Sequence, residues 1–290
     1  EPLGTGHAAL AGLSGIEGFE GPVLVSAGDT PLLTPELFLA ALEGYRAGNT
    51  VTVVTAIVPD PTGYGRILRE DGRVVGIVEH KAATDEQKEI DEINAAIYCV
   101  DAAYLRDCLP RLRKDEGVGE ILLTDIVADA VARGLRVEGI VRDELESRGV
   151  NDKVQLAEAT AILKDRVLRK HMVDGVSILD PVTTTIGLDV EIGQDTVIEP
   201  CTQILGETRI GSFCRIGPST LIDDSEIGDR CIVFMSRVSE ARMEEGSKCG
   251  PFANLRPEAH LCPGAKVGNF VEIKNSILGD RVAVSHLTYI

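Results

Sequence analysis

Tryptophan is absent from the 290 residues, and Phe and Tyr together supply only 4% of them. A chain so poor in rings must fill its interior with Ile, Val and Leu, which suits a narrow core. No apolar run approaches the roughly 18 residues a membrane-spanning helix needs, so none is expected. Positive charge is scarce as well: 29 Lys and Arg stand against 46 Asp and Glu, a formal net charge of −17. That balance excludes nucleic acid as a partner, because a phosphate backbone selects a basic face. It leaves room for small phosphorylated ligands, which need only a local basic pocket. The seven cysteines, at 99, 108, 201, 214, 231, 249 and 262, contain no CxxC pair, and their number is odd. Reduced, packed thiols in a cytoplasmic protein are therefore expected, rather than a disulfide framework or a cysteine metal site. The chain starts at Glu1 without a Met, and it ends at Ile290 without the polar cap a repeat protein needs. A piece of a longer chain, truncated at both ends, is the expectation.

What is present in abundance is a period. Ile186, Ile192, Ile198, Ile204, Ile210, Ile216 and Ile222 fall at strict six-residue intervals. The phase slips at Ile227, resumes at Val233 and returns as Cys249, Leu255, Leu261, Val267 and Ile273. Six matches neither the 3.6 of a helix nor the 2.0 of a free strand. It fits a chain that turns a corner every six residues and completes a coil in three faces, the hexapeptide signature of a β-helix. Gly187, Gly193, Gly211, Gly217 and Gly228 each follow an isoleucine, where tight corners are expected to need a small residue.

The first half alternates strands and helices. Residues 3–8 (LGTGHA) form a Gly-rich turn leading into a helix. Val23 to Val25 reads as a short buried strand ending at Gly28 and Asp29, and Thr34 caps a helix begun by Pro35 and Glu36. That succession is the crossover unit of a parallel sheet, whose ligands bind at the carboxyl ends of strands, so Asp29 stands where a metal ligand or phosphate neighbour would stand. Further strands are expected over 51–58, 74–78, 93–100 and 137–141, and helices over 101–112 and 125–133, the latter capped by Thr124. A helix from about Asp152 to Met172 carries its Lys and Arg toward the C-terminal end. It reads as a rigid spacer on the order of 30 Å long.

Taken in order, LGTGHA (3–8), AGDTPLL (27–33), PTGYGRI (61–67), GIVEHKAATDEQ (76–87), EIN (92–94) and GVND (149–152), then GPFANLRP (250–257), VGNFVEIKNS (267–276) and HLTYI (286–290), form a specific series. The chain resembles, over essentially its whole length, the bifunctional N-acetylglucosamine-1-phosphate uridylyltransferases/glucosamine-1-phosphate N-acetyltransferases. The resemblance implies an α/β fold with three parts. Residues 1–151 would be a Rossmann-like nucleotidyltransferase (uridylyltransferase) domain, N-terminally truncated, and 152–175 a helical linker. Residues 176–290 would be a left-handed parallel β-helix acetyltransferase domain of hexapeptide repeats. It implies acetyl-CoA-dependent acetylation of glucosamine-1-phosphate, then Mg2+-dependent uridylyl transfer from UTP to N-acetylglucosamine-1-phosphate, in a cytoplasmic homotrimer serving cell-wall synthesis. Asp29 and Asn151 match the magnesium ligands, and both offer the oxygen a hard cation takes. Gly4 and Thr5 match a uracil-contacting turn, Ala27 and Gly28 line the nucleotide with Asp29, and Gly65, Glu79 and Asn94 match the positions that hold the acetylated sugar. On the β-helix, His286 matches the general base, Arg256 and Lys274 the phosphate-binding cations, and Tyr289 a further sugar contact. His7, His80, His171 and His260 match no such role and are expected on the surface. Asn254 and Glu258 depart from the family, which commonly has a basic residue and a Gly there. The family's phosphate-cradling loop would precede Glu1 and its acetyl-CoA contacts would follow Ile290, so impaired activity in both reactions is expected. A different sugar-1-phosphate nucleotidylyltransferase with a structural or regulatory β-helix is the alternative, and a non-enzymatic scaffold a third possibility. His286 with Lys274 and Arg256 argues against the second, and Asp29, Asn151 and His286 together argue against the third.

Overall fold

The computed structural model describes residues 3–115, 117 and 119–290; Glu1, the expected start of the first domain, lies outside them. The chain divides into two compact units, Glu1–Ala159 and Thr160–Ile290.

The first unit is a mixed sheet covered on both faces. Its strands are β1 (Pro22–Ser26), β2 (Val51–Ile57), β3 (Arg66–Glu70), β4 (Arg73–Val78), β5 (Glu92–Asp101) and β6 (Val137–Arg142). Central β5 runs antiparallel to β1, β2 and β3, while β2 and β6 run parallel. The all-parallel sheet suggested by the crossover pattern is thus a mixed one, because β5 enters against its neighbours. Alternation along β2 and β5 splits the core. Val51, Val53, Tyr98 and Val100 pack with Leu105 and Ile126 on one face. Val54, Ile97 and Cys99 pack with Leu37 and Ala41 on the other. The second group includes the helix Pro35–Arg46, whose first turn is capped as expected by Thr34, with Leu37 N 3.3 Å from its Oγ1. β1 is only half-buried, with Leu24 exposed, and is not the buried strand expected. The stretch 101–112 is a short helix, Ala102–Cys108, continued by a single 3-10 turn.

Across the sheet, Arg69 grips Glu92 with two hydrogen bonds, Nε to Oε2 at 2.7 Å and Nη2 to Oε1 at 2.6 Å, and Thr55 adds a third at 2.7 Å. Burial works against ionisation of Glu92, but these donors outweigh it and hold the carboxyl below its usual range.

The second unit is a left-handed parallel β-solenoid. Its first face has seven strands and each of the others six, so six coils are complete and a seventh has begun. Each strand pairs in parallel register with the equivalent strand one coil away, as Ile198 does with Ile216 and Ile204 with Ile222. The expected aliphatics stack inward in one core that includes Ile186, Ile216, Val233, Leu255 and Ile273. The phase slips more often than the sequence pattern suggests, since Val238, Met243 and Leu278 also occupy inward places after shortened corners. Two residues before each aliphatic, a second column of small side chains is buried, among them Thr196, Thr202, Thr208, Ser225, Ala253 and Ala265. The hydroxyls of Thr196, Thr208 and Ser225 bond the backbone of the corner or of the next coil, as Thr196 Oγ1 does Gly211 O at 2.8 Å, whereas that of Thr202 is buried without a partner. Cys214 and Cys231 belong to this small column, Cys249 to the aliphatic one, and all seven cysteines are free thiols.

Of the glycines that follow the isoleucines, Gly217 alone bends with positive φ, at 108°; Gly187, Gly193, Gly211 and Gly228 do not make the corners. The left-handed backbone falls on other residues, among them Asp195, Phe213, Arg230, Phe252 and Phe270, with φ between 56° and 61°. Gly193, Gly211 and Gly228 have a different reason: they stack on one another. A Cβ on Gly211 would lie 2.7 Å from Asp229 N and 2.8 Å from Gly228 C, whereas one on Gly187 would meet nothing closer than 3.4 Å.

The helix Lys153–Val173 crosses the division between the units, and in its second half Val167 and Leu168 pack into the solenoid core. His171, expected on the surface, is 5% exposed, and burial followed by the neighbouring Lys170 lowers its pKa.

Gly211→Ala is expected to destabilise the solenoid by about 1–3 kcal/mol, the usual cost of overpacking, while Gly187→Ala stays within about 0.5 kcal/mol. Equal effects of the two in denaturant unfolding would remove the close-approach explanation. Glu92→Gln should cost the first unit about 1–3 kcal/mol near neutrality, between the values for exposed and buried pairs. Because the folded carboxyl titrates below the unfolded one, this contribution is present above about pH 4.3 and fades as pH falls further. The gap between parent and variant must therefore narrow toward pH 3. Tyrosine emission can follow it, since four of the five tyrosines (45, 64, 98 and 104) lie in this unit.

Candidate functional site

In the first unit a cavity of about 840 Å³ opens beside β1 and β5, lined among others by Thr5, Ala27, Tyr64, Gly65, Glu79, Asn94 and Thr124. Five of the residues singled out from the sequence, Thr5, Ala27, Gly65, Glu79 and Asn94, thus converge on one hollow.

Local chain geometry explains the convergence. Opposite Val54 and Thr55 the register of β5 shifts, and Ala96 takes φ 56°. Such bulges re-aim side chains next to sites. Asn94 holds this one in place: its Oδ1 accepts from Ala96 N at 3.0 Å and its Nδ2 donates to Tyr98 OH at 2.7 Å. Asn94 N in turn bonds Gly65 O at 2.9 Å, which draws the two segments together. Gly65 is crowded on its cavity side, where a Cβ would stand 3.2 Å from Ile77 Cγ2 and 3.5 Å from Glu79 Oε2. Glu79 accepts a hydrogen bond from Thr124 Oγ1 at 3.1 Å. Thr124, expected to cap the following helix, makes no side-chain cap there, because its hydroxyl is turned to Glu79. Burial first, then Asp115 and Glu79, push the Asp125 carboxyl above its usual range, so this rim of the cavity is acidic.

The Gly-rich turn serves the fold. Gly4 has φ 107°, and a Cβ there would lie 2.8 Å from Glu120 Cβ and from Ile121 N. Thr5 Oγ1 accepts from Leu123 N at 3.0 Å. Both contacts seat the helix Thr5–Leu13 on the 120–123 segment. Gly28 and Asp29 are exposed beyond the end of β1 and do not line the cavity, nor does Gly4. Asp29 O accepts from Val150 N at 2.8 Å, and Asp29 Oδ2 would be 3.8 Å from a Cβ on Gly149. The residue after Val150 is Asn151, also exposed, whose own N bonds Gln155 Oε1 at 2.6 Å. The two oxygen-bearing side chains therefore leave neighbouring segments of backbone.

Sequence reasoning missed Arg66. It is 1% exposed and has no carboxylate partner among the described residues. Its guanidinium bonds Tyr64 O, Lys88 O at 3.3 Å and His80 Nδ1 at 3.3 Å, tying the Gly65 loop to the segment that follows Glu79. Its place within PTGYGRI, next to Gly65, was the only available signal.

On the solenoid, parallel register stacks the second group. Asn254 pairs with Glu272 and Leu255 with Ile273, which sets Arg256 over Lys274. Glu272 then bridges to Tyr289, and Lys274 N donates to Ile290 O at 2.9 Å. Arg256 Nη1 donates to Glu272 Oε1 at 2.6 Å, and that bond, with the charge of Glu272 and the nearby Tyr289, raises its pKa further. Lys274 and Tyr289 are exposed. His286 ends the strand Ala283–His286 on the preceding face, paired with Asn269, and is exposed. Glu258, where the resemblance implied a glycine, has φ 64°, a backbone that glycine adopts without strain.

Among curated proteins, the bifunctional protein GlmU of Clostridium botulinum (strain Eklund 17B / Type B) is 45% identical over 294 residues, that of Mycobacterium tuberculosis (strain CDC 1551 / Oshkosh) 45% over 293, and that of Thermobifida fusca 46% over 297. Each alignment takes in 100% of this chain. Along its whole length the chain is similar to GlmU proteins. It spans 59–64% of the length of these GlmU relatives. No family model matches it. Among the described residues, no helix is long and apolar enough to cross a membrane.

Tyr98→Phe should leave Asn94 Nδ2 without its partner and cost the first unit about 1–2 kcal/mol. An unfolding midpoint unchanged from the parent would show that Asn94 does not depend on Tyr98.

Proposed function

We propose that the chain carries the two catalytic lobes of UDP-N-acetylglucosamine synthesis, within a protein that acetylates glucosamine-1-phosphate and then uridylylates the product. The observation that carries this is the meeting of Thr5, Ala27, Gly65, Glu79 and Asn94 on one cavity, in a chain aligned end to end with GlmU relatives.

In the first lobe, N-acetylglucosamine-1-phosphate lies against Gly65, Glu79 and Asn94. The carboxylate of Glu79 accepts from sugar hydroxyls. Asn94 presents its amide from a rigid bulge. UTP extends past Gly4, Thr5, Ala27 and Gly28 toward Asp29. The sugar phosphate attacks the α-phosphorus and pyrophosphate leaves. Asp29 and Asn151 fit a magnesium ion, since both are exposed oxygen donors on adjoining segments. Bound there, the ion supplies charge neutralisation on the phosphates.

In the second lobe, Arg256 and Lys274 hold the phosphate of glucosamine-1-phosphate, the first as a planar fork and the second as a point charge. Glu272 fixes the Arg256 fork in advance, and Tyr289 adds a sugar contact. His286 takes the proton from the sugar amine as the amine attacks the acetyl-CoA thioester; the C–S bond breaks and coenzyme A leaves as its thiol, taking up that proton. Arg256, Lys274 and Tyr289 come from one face and His286 from the preceding one. A homotrimer through the solenoid would complete such a site, and a cytoplasmic setting suits the free thiols.

Calorimetry with UDP-N-acetylglucosamine tests the first lobe. Glu79→Ala and Asn94→Ala should each weaken binding up to roughly tenfold, the loss of about one hydrogen bond. For the second lobe, Arg256→Ala should weaken glucosamine-1-phosphate binding. His286→Ala should leave that binding intact and lower acetyl transfer by about 10²–10⁴-fold. Unaltered binding in the first pair, or full acetylation without His286, would overturn the assignment of that lobe.

A further inference from the structure

On the third face of the solenoid the register makes a different arrangement. Arg242 pairs with His260 and Met243 with Leu261, so the outward residue after each inward one, Glu244 and Cys262, also stack. One coil further, Ile277 pairs with His260 and Leu278 with Leu261, which sets Gly279 over Cys262. Lower on the same face the equivalent column is Gly193, Gly211 and Gly228. The column of glycines is thus interrupted by one carboxylate and one thiol, with glycine on either side of them. Neither neighbouring coil puts a side chain over the gap. A shallow groove of about 770 Å³, lined by Gly228, Arg242 and Glu244 among others, leads along the face.

The side chains at the interruption point at one another. His260 Nε2 and Glu244 Oε1 are 2.6 Å apart. One donor atom each from Glu244, His260 and Cys262 lies within 4.8 Å of the other two, and this is the one such group of three among the described residues. All three are partly exposed.

From this geometry we infer that Glu244, His260 and Cys262 form a zinc site on the outer surface of the solenoid. Nothing in the proposed chemistry uses these residues. A carboxylate, an imidazole and a thiolate are a borderline-soft set that suits Zn2+ and is poorly matched to Mg2+ or Ca2+. Zinc bonds of about 2.0–2.3 Å place tetrahedral ligand atoms about 3.3–3.8 Å apart. Rotations of the three side chains, held by strands of fixed register, bring them to that spacing. Water from the groove takes the fourth position. Binding replaces the thiol proton with the metal and releases it to solvent. Glu244 and Asp280 face the thiol as negative neighbours and Arg242 as a positive one, 3.9 Å from Glu244.

The test uses the whole 290-residue chain, free of any affinity tag, titrated with Zn2+ and with Co2+ as a spectroscopic probe. One metal per chain is expected, with a thiolate-to-cobalt charge-transfer band in the near ultraviolet and release of a proton on binding. Cys262→Ser should abolish the band. His260→Ala and Glu244→Gln should weaken binding beyond the roughly 10–100-fold typical of an outer-shell partner. Cys201→Ser, at an exposed thiol elsewhere, should change neither, and circular dichroism checks that every variant folds. A band that survives Cys262→Ser, a band lost in Cys201→Ser, or full affinity in His260→Ala overturns the site. So does failure of the parent chain to bind either metal at millimolar concentration.

Discussion

Parallel register between successive coils governs most of what this chain does. Each strand donates to the carbonyls of its equivalent one coil away, as Thr185 N does to Thr202 O and Gly187 N to Ile204 O. A residue's neighbours are therefore set by its place in the repeat. Inward, this stacks isoleucine on isoleucine and threonine on threonine, and the interior stays narrow enough to close without tryptophan. Outward, the same rule builds columns of like or unlike chemistry. One of them runs Glu191, Arg209, Glu226, Arg242 and His260, nearly alternating in charge. Another sets Arg256 over Lys274, with Glu272 beside them as the clamp.

In the first unit a single irregularity does comparable service. The bulge at Ala96 interrupts an otherwise regular central strand, and Asn94 occupies both of its polar ends in maintaining it. The side chain that faces the cavity is thus one that the fold cannot release. Glu79 is tethered by Thr124, and the buried Arg66 holds the loop around Gly65 from behind. The cavity owes its shape to these internal bonds, which exist before any ligand arrives.

The sequence made the solenoid legible because a six-residue period has few structural explanations, and the inward residues carry it openly. The helix Pro35–Arg46 was equally plain from Thr34 and Pro35. Other features were hidden because their causes lie between segments. Nothing in EIN announces a bulge, which depends on the register against β2. Thr124 looked like a cap, yet Glu79, far off in sequence, captured its hydroxyl. The glycines after the isoleucines were attributed to corners, while at Gly193, Gly211 and Gly228 the demand comes from the next coil, whose backbone leaves no space for a Cβ. His171 carries no sign of burial in a helix that is polar for most of its length. Of the candidate site residues, those on β-strands or adjoining the cavity could be placed from motifs. The neighbourhood of Asp29 and Asn151 was implied by the resemblance alone, and the Val150 to Asp29 hydrogen bond is what joins their segments.

The corners have one more implication. In most six-residue steps the left-handed residue is the third after the inward aliphatic, as with Phe213 after Ile210; in five-residue steps it is the second, as with Asp224 after Ile222, Met235 after Val233 and Asn275 after Ile273. Both versions return the chain to the same inward position. A one-residue deletion at a bend can thus be absorbed on the spot, with no displacement of the coils above or below. Solenoids of this type can drift in length, bend by bend, through small indels, while columns such as Arg256 over Lys274 stay aligned.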